Sequence, residues 1–174
     1  MRAYQFQAIL SLFFATHFLC IHATAQTTKA PLLGPTPPAL RTAPESPQSF
    51  DLDAMKGRVV LIFHWRTDCP VCLDKMNELR SNVTGWRNKP FTVVAINHDK
   101  NRQSFQNYLQ ITTAVDGANA QFIYIYTKDV AMDSLYQNER LPASYIMDGQ
   151  KVLKRSYIGR IPAEAWDDIA ELLP

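Results

Sequence analysis

The stretch Val59–Cys72 reads Val-Val-Leu-Ile-Phe-His-Trp-Arg-Thr-Asp-Cys-Pro-Val-Cys, so an apolar, β-branched run leads directly into two cysteines separated by two residues. Composition makes the first half a strand. Pro70 marks the change to a helix: its fixed φ and missing N–H suit the first helical residue, and Cys69 then caps that helix. A sulfur so placed faces unpaired backbone N–H groups and the positive end of the helix dipole. Both favour a thiolate, lowering a cysteine pKa from about 8.5 into a range of roughly 3.5–7.5. Cys72 lies nearly one turn further on, close enough to close a ring with Cys69 and recessed behind it. An accessible activated thiol backed by a second one is the arrangement that thiol–disulfide exchange needs.

Two blander readings compete. A structural staple is disfavoured because a two-residue spacing closes a tiny loop, which restrains little of the unfolded chain. Half of a zinc or copper site needs further soft ligands, and downstream of residue 25 only His64 and His98 are available. His64 sits in the strand and His98 in a distant loop, so spacing places neither beside the cysteines.

The first residues have a different character. Arg2, an apolar run from Ala8 to Ile21 and the small residues Ala23-Thr24-Ala25 have the layout of a secretory signal over residues 1–25. Cleavage after Ala25 is expected, with an uncleaved membrane anchor as the alternative, and Cys20 would leave with the signal. The whole chain carries 18 basic and 16 acidic residues, for a net charge of +2, and losing Arg2 leaves +1. That balance offers no electrostatic footprint for nucleic acid or anionic lipid. Residues 26–49 are rich in proline, threonine and serine and read as an extended linker, so the domain proper is expected over residues 50–174.

Along that domain, Gly57 turns the chain into the first strand. From Pro70, Cys72, Met76, Leu79, Val83 and Trp86 recur at spacings of four and three, the apolar stripe of a helix packed on a sheet, while Asp74, Lys75, Asn77, Glu78 and Arg80 are expected to face water. Phe91–Asn97 reads as a central strand, followed by a helix capped by Asn97 or Asp99 with Phe105, Tyr108, Leu109 and Thr112 on one face. A loop is expected over 113–120, a strand over 122–126 and a short helix over 130–137. Ala143–Met147 and Lys151–Ile158 read as a hairpin turning at Asp148-Gly149, and a last helix starts at Pro162. Strand–helix–strand succession implies right-handed crossovers and a mainly parallel sheet.

Cys69-Pro70-Val71-Cys72 after an apolar strand, with Leu141-Pro142 far downstream, resembles the thioredoxin superfamily, and within it the exported TlpA/ResA-like thiol–disulfide oxidoreductases. The resemblance implies an α/β fold with a central mixed, mainly parallel sheet flanked by helices on both faces. It implies Cys69 as attacking and Cys72 as resolving thiol, a cis bond before Pro142, and Leu141 offering backbone and apolar contact to substrate. No cofactor is implied. The implied partners are the thiols and disulfides of exported proteins, with a membrane electron donor to recharge the dithiol, in a periplasmic, secreted or membrane-anchored protein. The sequence departs from the family at three places. Asp68 stands where tryptophan usually precedes the first cysteine, Phe63 replaces thioredoxin's buried acid, and Lys75 replaces a ResA-like glutamate. Asp68 either disfavours the Cys69 thiolate, which makes the dithiol the better reductant, or points into water. Lys75 either supports a thiolate or is a solvated helix residue. With Pro70, these are the candidate groups tuning the thiol. The competing class is a thioredoxin fold that has lost turnover and only binds a partner or a metal.

Overall fold

The computed structural model describes residues 39–117, 119–137 and 140–174; the expected signal, Cys20 and most of the expected linker lie outside them. Among the described residues, seven strands and three α-helices run in the order β1 (Leu40–Thr42), β2 (Val59–Trp65), α1 (Pro70–Gly85), β3 (Phe91–Asn97), α2 (Arg102–Asp116), β4 (Phe122–Tyr126), β5 (Val130–Asp133), β6 (Ala143–Met147), β7 (Leu153–Ile158) and α3 (Ala165–Leu172).

Five strands form the central sheet in the order β4-β3-β2-β6-β7. β2 runs parallel to β3, from Val59↔Phe91 to Trp65↔Asn97, and antiparallel to β6, from Val60↔Met147 to His64↔Ala143. β4 is parallel to β3 and β7 antiparallel to β6. The sheet is thus evenly mixed rather than mainly parallel, because the final hairpin contributes as many pairings as the two crossovers. β2 and β3 are buried along their whole length, which explains their unbroken apolar sequences.

Alternation along β2 divides the interior in two. Val59, Leu61, Phe63 and Trp65 point into a core shared with Cys72, Met76, Leu79 and Val83 of α1, Phe105 of α2 and Ile169 of α3. Val60 and Ile62 point into a second core with Leu40, Leu52, Ile125, Tyr145 and Met147. All three α-helices therefore cover one face. Two successive right-handed crossovers that advance across the sheet in one direction put their helices on the same side. The other face, also expected to carry helices, is covered by a 3₁₀ turn at Leu52–Met55 and by a two-stranded ribbon of β1 and β5.

That ribbon corrects two expectations. Residues 130–137 form no helix: β5 pairs antiparallel with β1, from Leu40↔Asp133 to Thr42↔Val130, and the Asp133 carboxylate then accepts the N–H groups of Leu135 and Tyr136 to turn the chain. Ordered structure also begins before residue 50, with Leu40 buried inside the second core. Smaller shifts occur elsewhere. α2 is capped by Asn101, whose Oδ1 accepts the Gln103 N–H at 2.9 Å, and it runs on to Asp116 before Gly117 ends it with φ of 72°. α3 begins at Ala165, three residues after Pro162, and the left-handed residue of the final hairpin is Lys151.

Candidate active site: a cysteine pair at the start of α1

β2 delivers the chain to the C-terminal edge of the sheet, where Arg66–Asp68 turn it into α1. Cys69 caps that helix in an extended conformation, φ −106° and ψ 103°, and Pro70 is its first residue. Its Sγ accepts the Cys72 N–H at 3.2 Å, and its carbonyl accepts the Leu73 N–H at 3.0 Å. The two sulfurs are joined, with an S–S distance of 2.13 Å and a Cα–Cα distance of 5.2 Å. Cys69 is half-buried, between exposed Asp68 and exposed Pro70, while Cys72 is wholly buried in the helix-side core. Spacing alone predicts this asymmetry, because only Cys72 belongs to the apolar stripe.

The Leu141-Pro142 peptide bond is cis. Pro142 immediately precedes Ala143, whose partner on β2 is His64, so Leu141-Pro142 lies at the edge of the sheet from which the cysteine loop leaves. Leu141 is half-buried, and it packs with Cys69 against the same core. Cys69, Cys72, Pro70, Leu141 and Pro142 are thus gathered at one edge of the fold.

The three departures resolve differently. Asp68 is largely exposed and pairs with Arg66, whose Nε donates to Oδ1 at 2.7 Å and whose Nη2 reaches Oδ2. That hydrogen bond holds the Asp68 carboxyl below the usual range, so its charge is matched locally rather than left facing the sulfur. Phe63 fills its place in the core with a ring that is fully buried. Lys75 is only 3% exposed, which corrects the expectation of a solvated residue. Its Nζ donates to Glu78 Oε2 at 2.5 Å, and Trp166 Nε1 of α3 donates to Glu78 Oε1 at 2.6 Å. Burial pushes the Glu78 carboxyl up, but the bonds from Lys75 and Trp166 outweigh it and leave the group below its ordinary value. A buried aliphatic stem with its head paired to Glu78 accounts for a lysine on the helix-side face.

The histidines stand apart from the cysteines. His64 is fully buried and points to the face away from Cys72; its Nδ1 lies 2.9 Å from His98 Nε2, and its ring stacks on Tyr136 at 4.4 Å. They pair with each other and do not converge on the sulfurs.

One acid is not legible in the sequence as part of this site. Asp99 is 6% exposed, and its two carboxylate oxygens accept the N–H and the hydroxyl of Thr67, each at 2.8 Å. Its only sequence signal is position: a helix cap is expected near it, and Asn101 caps instead.

A model of the Redoxin family matches residues 25–173. The chain belongs to the Redoxin family. With that membership the scaffold is that of a thioredoxin-like oxidoreductase. Solved structures agree on the fold. A putative thioredoxin from Neisseria meningitidis aligns with a TM-score of 0.62 at 17% identity, covering 78% of this chain and 88% of that one. A putative thiol:disulfide interchange protein DsbE from Chlorobium tepidum aligns at 0.59 and 22% identity, covering 83% and 94%. StoA from Bacillus subtilis aligns at 0.56 and 15%, covering 78% and 98%. No curated protein matches the sequence. Among the described residues no helix is long and apolar enough to cross a membrane.

Proposed function

We propose that this Redoxin-family chain is a thiol–disulfide oxidoreductase that reduces disulfides in exported proteins. The observation that carries the proposal is the pairing of a half-exposed Cys69, at the mouth of α1, with a wholly buried Cys72. In the dithiol form the Cys69 thiolate attacks one sulfur of a client disulfide. A mixed disulfide forms and the first client thiolate leaves. The Cys72 thiolate then attacks Cys69 Sγ, which breaks the mixed disulfide, releases the second client thiolate and closes the Cys69–Cys72 bond. Two electrons pass to the client, and its two thiolates take up the protons that the enzyme's thiols gave to solvent.

The Pro142 carbonyl is taken by the Gly159 N–H at 2.7 Å, so it is the Leu141 backbone before the cis bond that would pair with an extended client segment, with its side chain supplying apolar contact. A fresh pair of electrons must then come from outside, from a membrane electron donor of the dithiol class. Export is supported by the signal-like residues 1–25 and the linker after them. Reduction is favoured by burial: of the charged groups at this loop, Arg66, Asp68 and Lys100 are in or near water, whereas the Asp99 carboxylate is buried against Thr67. A buried negative charge beside the loop, screened less than the exposed ones, disfavours the thiolate and so stabilises the disulfide.

Insulin reduction by the dithiol form is the test, with Cys69→Ser as control. A rate above the control is expected, while equality would leave a binding module. Trapping with Cys72→Ser in the native host should capture exported proteins on Cys69, and capture of cytosolic proteins alone would defeat the assignment to exported clients.

A further inference from the structure

The loop that presents Cys69 is not held by its own turn. Within it, the Cys69 N–H reaches the Arg66 carbonyl at 3.4 Å, long for such a bond. Apart from the exposed Arg66–Asp68 pair, the loop's firm contacts run to the end of β3. The His98 N–H donates to the Trp65 carbonyl at 2.8 Å, and both Asp99 oxygens accept from Thr67 at 2.8 Å. Asp99 is itself fixed on two further sides: its N–H donates to Asn97 Oδ1 at 3.0 Å, and its carbonyl accepts the Tyr126 hydroxyl at 2.9 Å. Tyr126 is pinned in turn, stacked on Phe105 with Arg102 lying 4.4 Å over its ring.

From this we infer that Asp99 is a positioning residue for Cys69, and that its buried charge sets how readily the sulfur ionises. The inference rests on the oxidoreductase reading given above. Thr67 is two residues before Cys69, and its N–H has left the ladder of β2, so Asp99 is the group that orients the approach to α1. Bonds from an N–H and an O–H to one carboxylate are charge-assisted and directional. Among the described residues no cation lies within ion-pair distance of Asp99: Arg66 is hydrogen-bonded to Asp68 and faces Asp99 from further off, His98 adjoins Asp99 with its pKa lowered by burial, and Lys100 faces Asp68. A negative charge developing on Cys69 therefore meets a fixed, buried carboxylate held against the same loop, while the offsetting cations stand in water.

Two substitutions separate position from charge. Asp99→Asn keeps the shape: its oxygen can still accept the Thr67 N–H and its amide can donate to the Thr67 hydroxyl, but the charge is gone. Thr67→Val keeps the carboxylate and takes away one of its two donors, leaving the charge less dispersed. The readouts are the pH profile of Cys69 alkylation by iodoacetamide in the reduced protein and the equilibrium with a glutathione redox buffer.

Asp99→Asn should raise the thiolate fraction at a given pH by roughly three- to tenfold, and move the glutathione equilibrium toward the dithiol by a similar factor. Thr67→Val should move both in the opposite direction by about twofold, with Thr67→Ser restoring the parent values. A merely structural role predicts slower or less stable protein with an unmoved alkylation profile. An unmoved profile in Asp99→Asn overturns the inference. Should that variant fail to fold, a Thr67→Val profile identical to the parent does so. Both readouts report on Cys69 without a client, so an unreactive parent in the insulin assay would remove the function while leaving this inference to stand or fall separately.

Discussion

Acidification should weaken this fold through His98, and the amount can be worked out. The His98 ring lies against His64 at 2.9 Å and against Tyr136 at 4.4 Å, half-buried between the end of β3 and the segment after β5. Burial first, and the Arg66 guanidinium second, lower its pKa from 6.5 to about 4. His64 is driven well below its ordinary value too, by burial and then by His98. An unfolded chain takes up protons at these histidines as the pH falls through about 6.5, whereas at His98 the fold refuses one until about 4. Their contribution is complete above the unfolded value and drains away toward the folded one. At about 1.4 kcal/mol per tenfold change in proton affinity, the fall at His98 is worth about 3 kcal/mol, or about 2 kcal/mol once partial access to solvent is allowed for.

Urea unfolding monitored by tryptophan fluorescence at pH 7 and pH 4 measures this, with His98→Gln as the comparison. The glutamine keeps a hydrogen bond to His64 and does not titrate, and all carboxylates, including Asp133 with its burial-raised pKa, are common to both proteins. With a denaturant slope of about 1–3 kcal/mol/M, the parent midpoint should fall about 1 M further than that of the variant. Equal losses in the two proteins would refute the reasoning.

Other contacts give two more expected outcomes. Lys75→Met should cost about 2 kcal/mol in urea unfolding, because Glu78 keeps only its bond to Trp166 and the ion pair is part-open to water; a neutral result would mean that the lysine stem alone matters. Leu40→Ala should also cost about 2 kcal/mol by the same measurement, since its side chain is buried in the core opposite the helices, and no loss would return residues before 50 to the linker.

Local signals carry the centre of the fold. The unbroken apolar runs of β2 and β3, the 3–4 spacing after Pro70 and the proline itself each state their structure within a few residues. The half-exposed and buried cysteines are legible in the same spacing, and the cis bond before Pro142 is legible through resemblance. The features that sequence conceals depend on partners far away along the chain. β5 is extended because β1, some ninety residues earlier at Leu40↔Asp133, offers it a ladder, and neither strand is long enough to announce itself. Lys75 reads as a surface residue until the fold buries it beside Glu78, which Trp166 of α3 also binds. Asp99 reads as a helix cap until the loop before Cys69 folds back onto it.

β2 holds Phe63 and Trp65 on the face of the cysteine helix and His64 against His98 and Tyr136, with one backbone thickness between the two interiors. Inserting or deleting a single residue inside this strand would exchange them, swinging an imidazole toward Cys72 and an indole toward His98 and Tyr136. The strand is therefore the part of the molecule least able to accept a change of length.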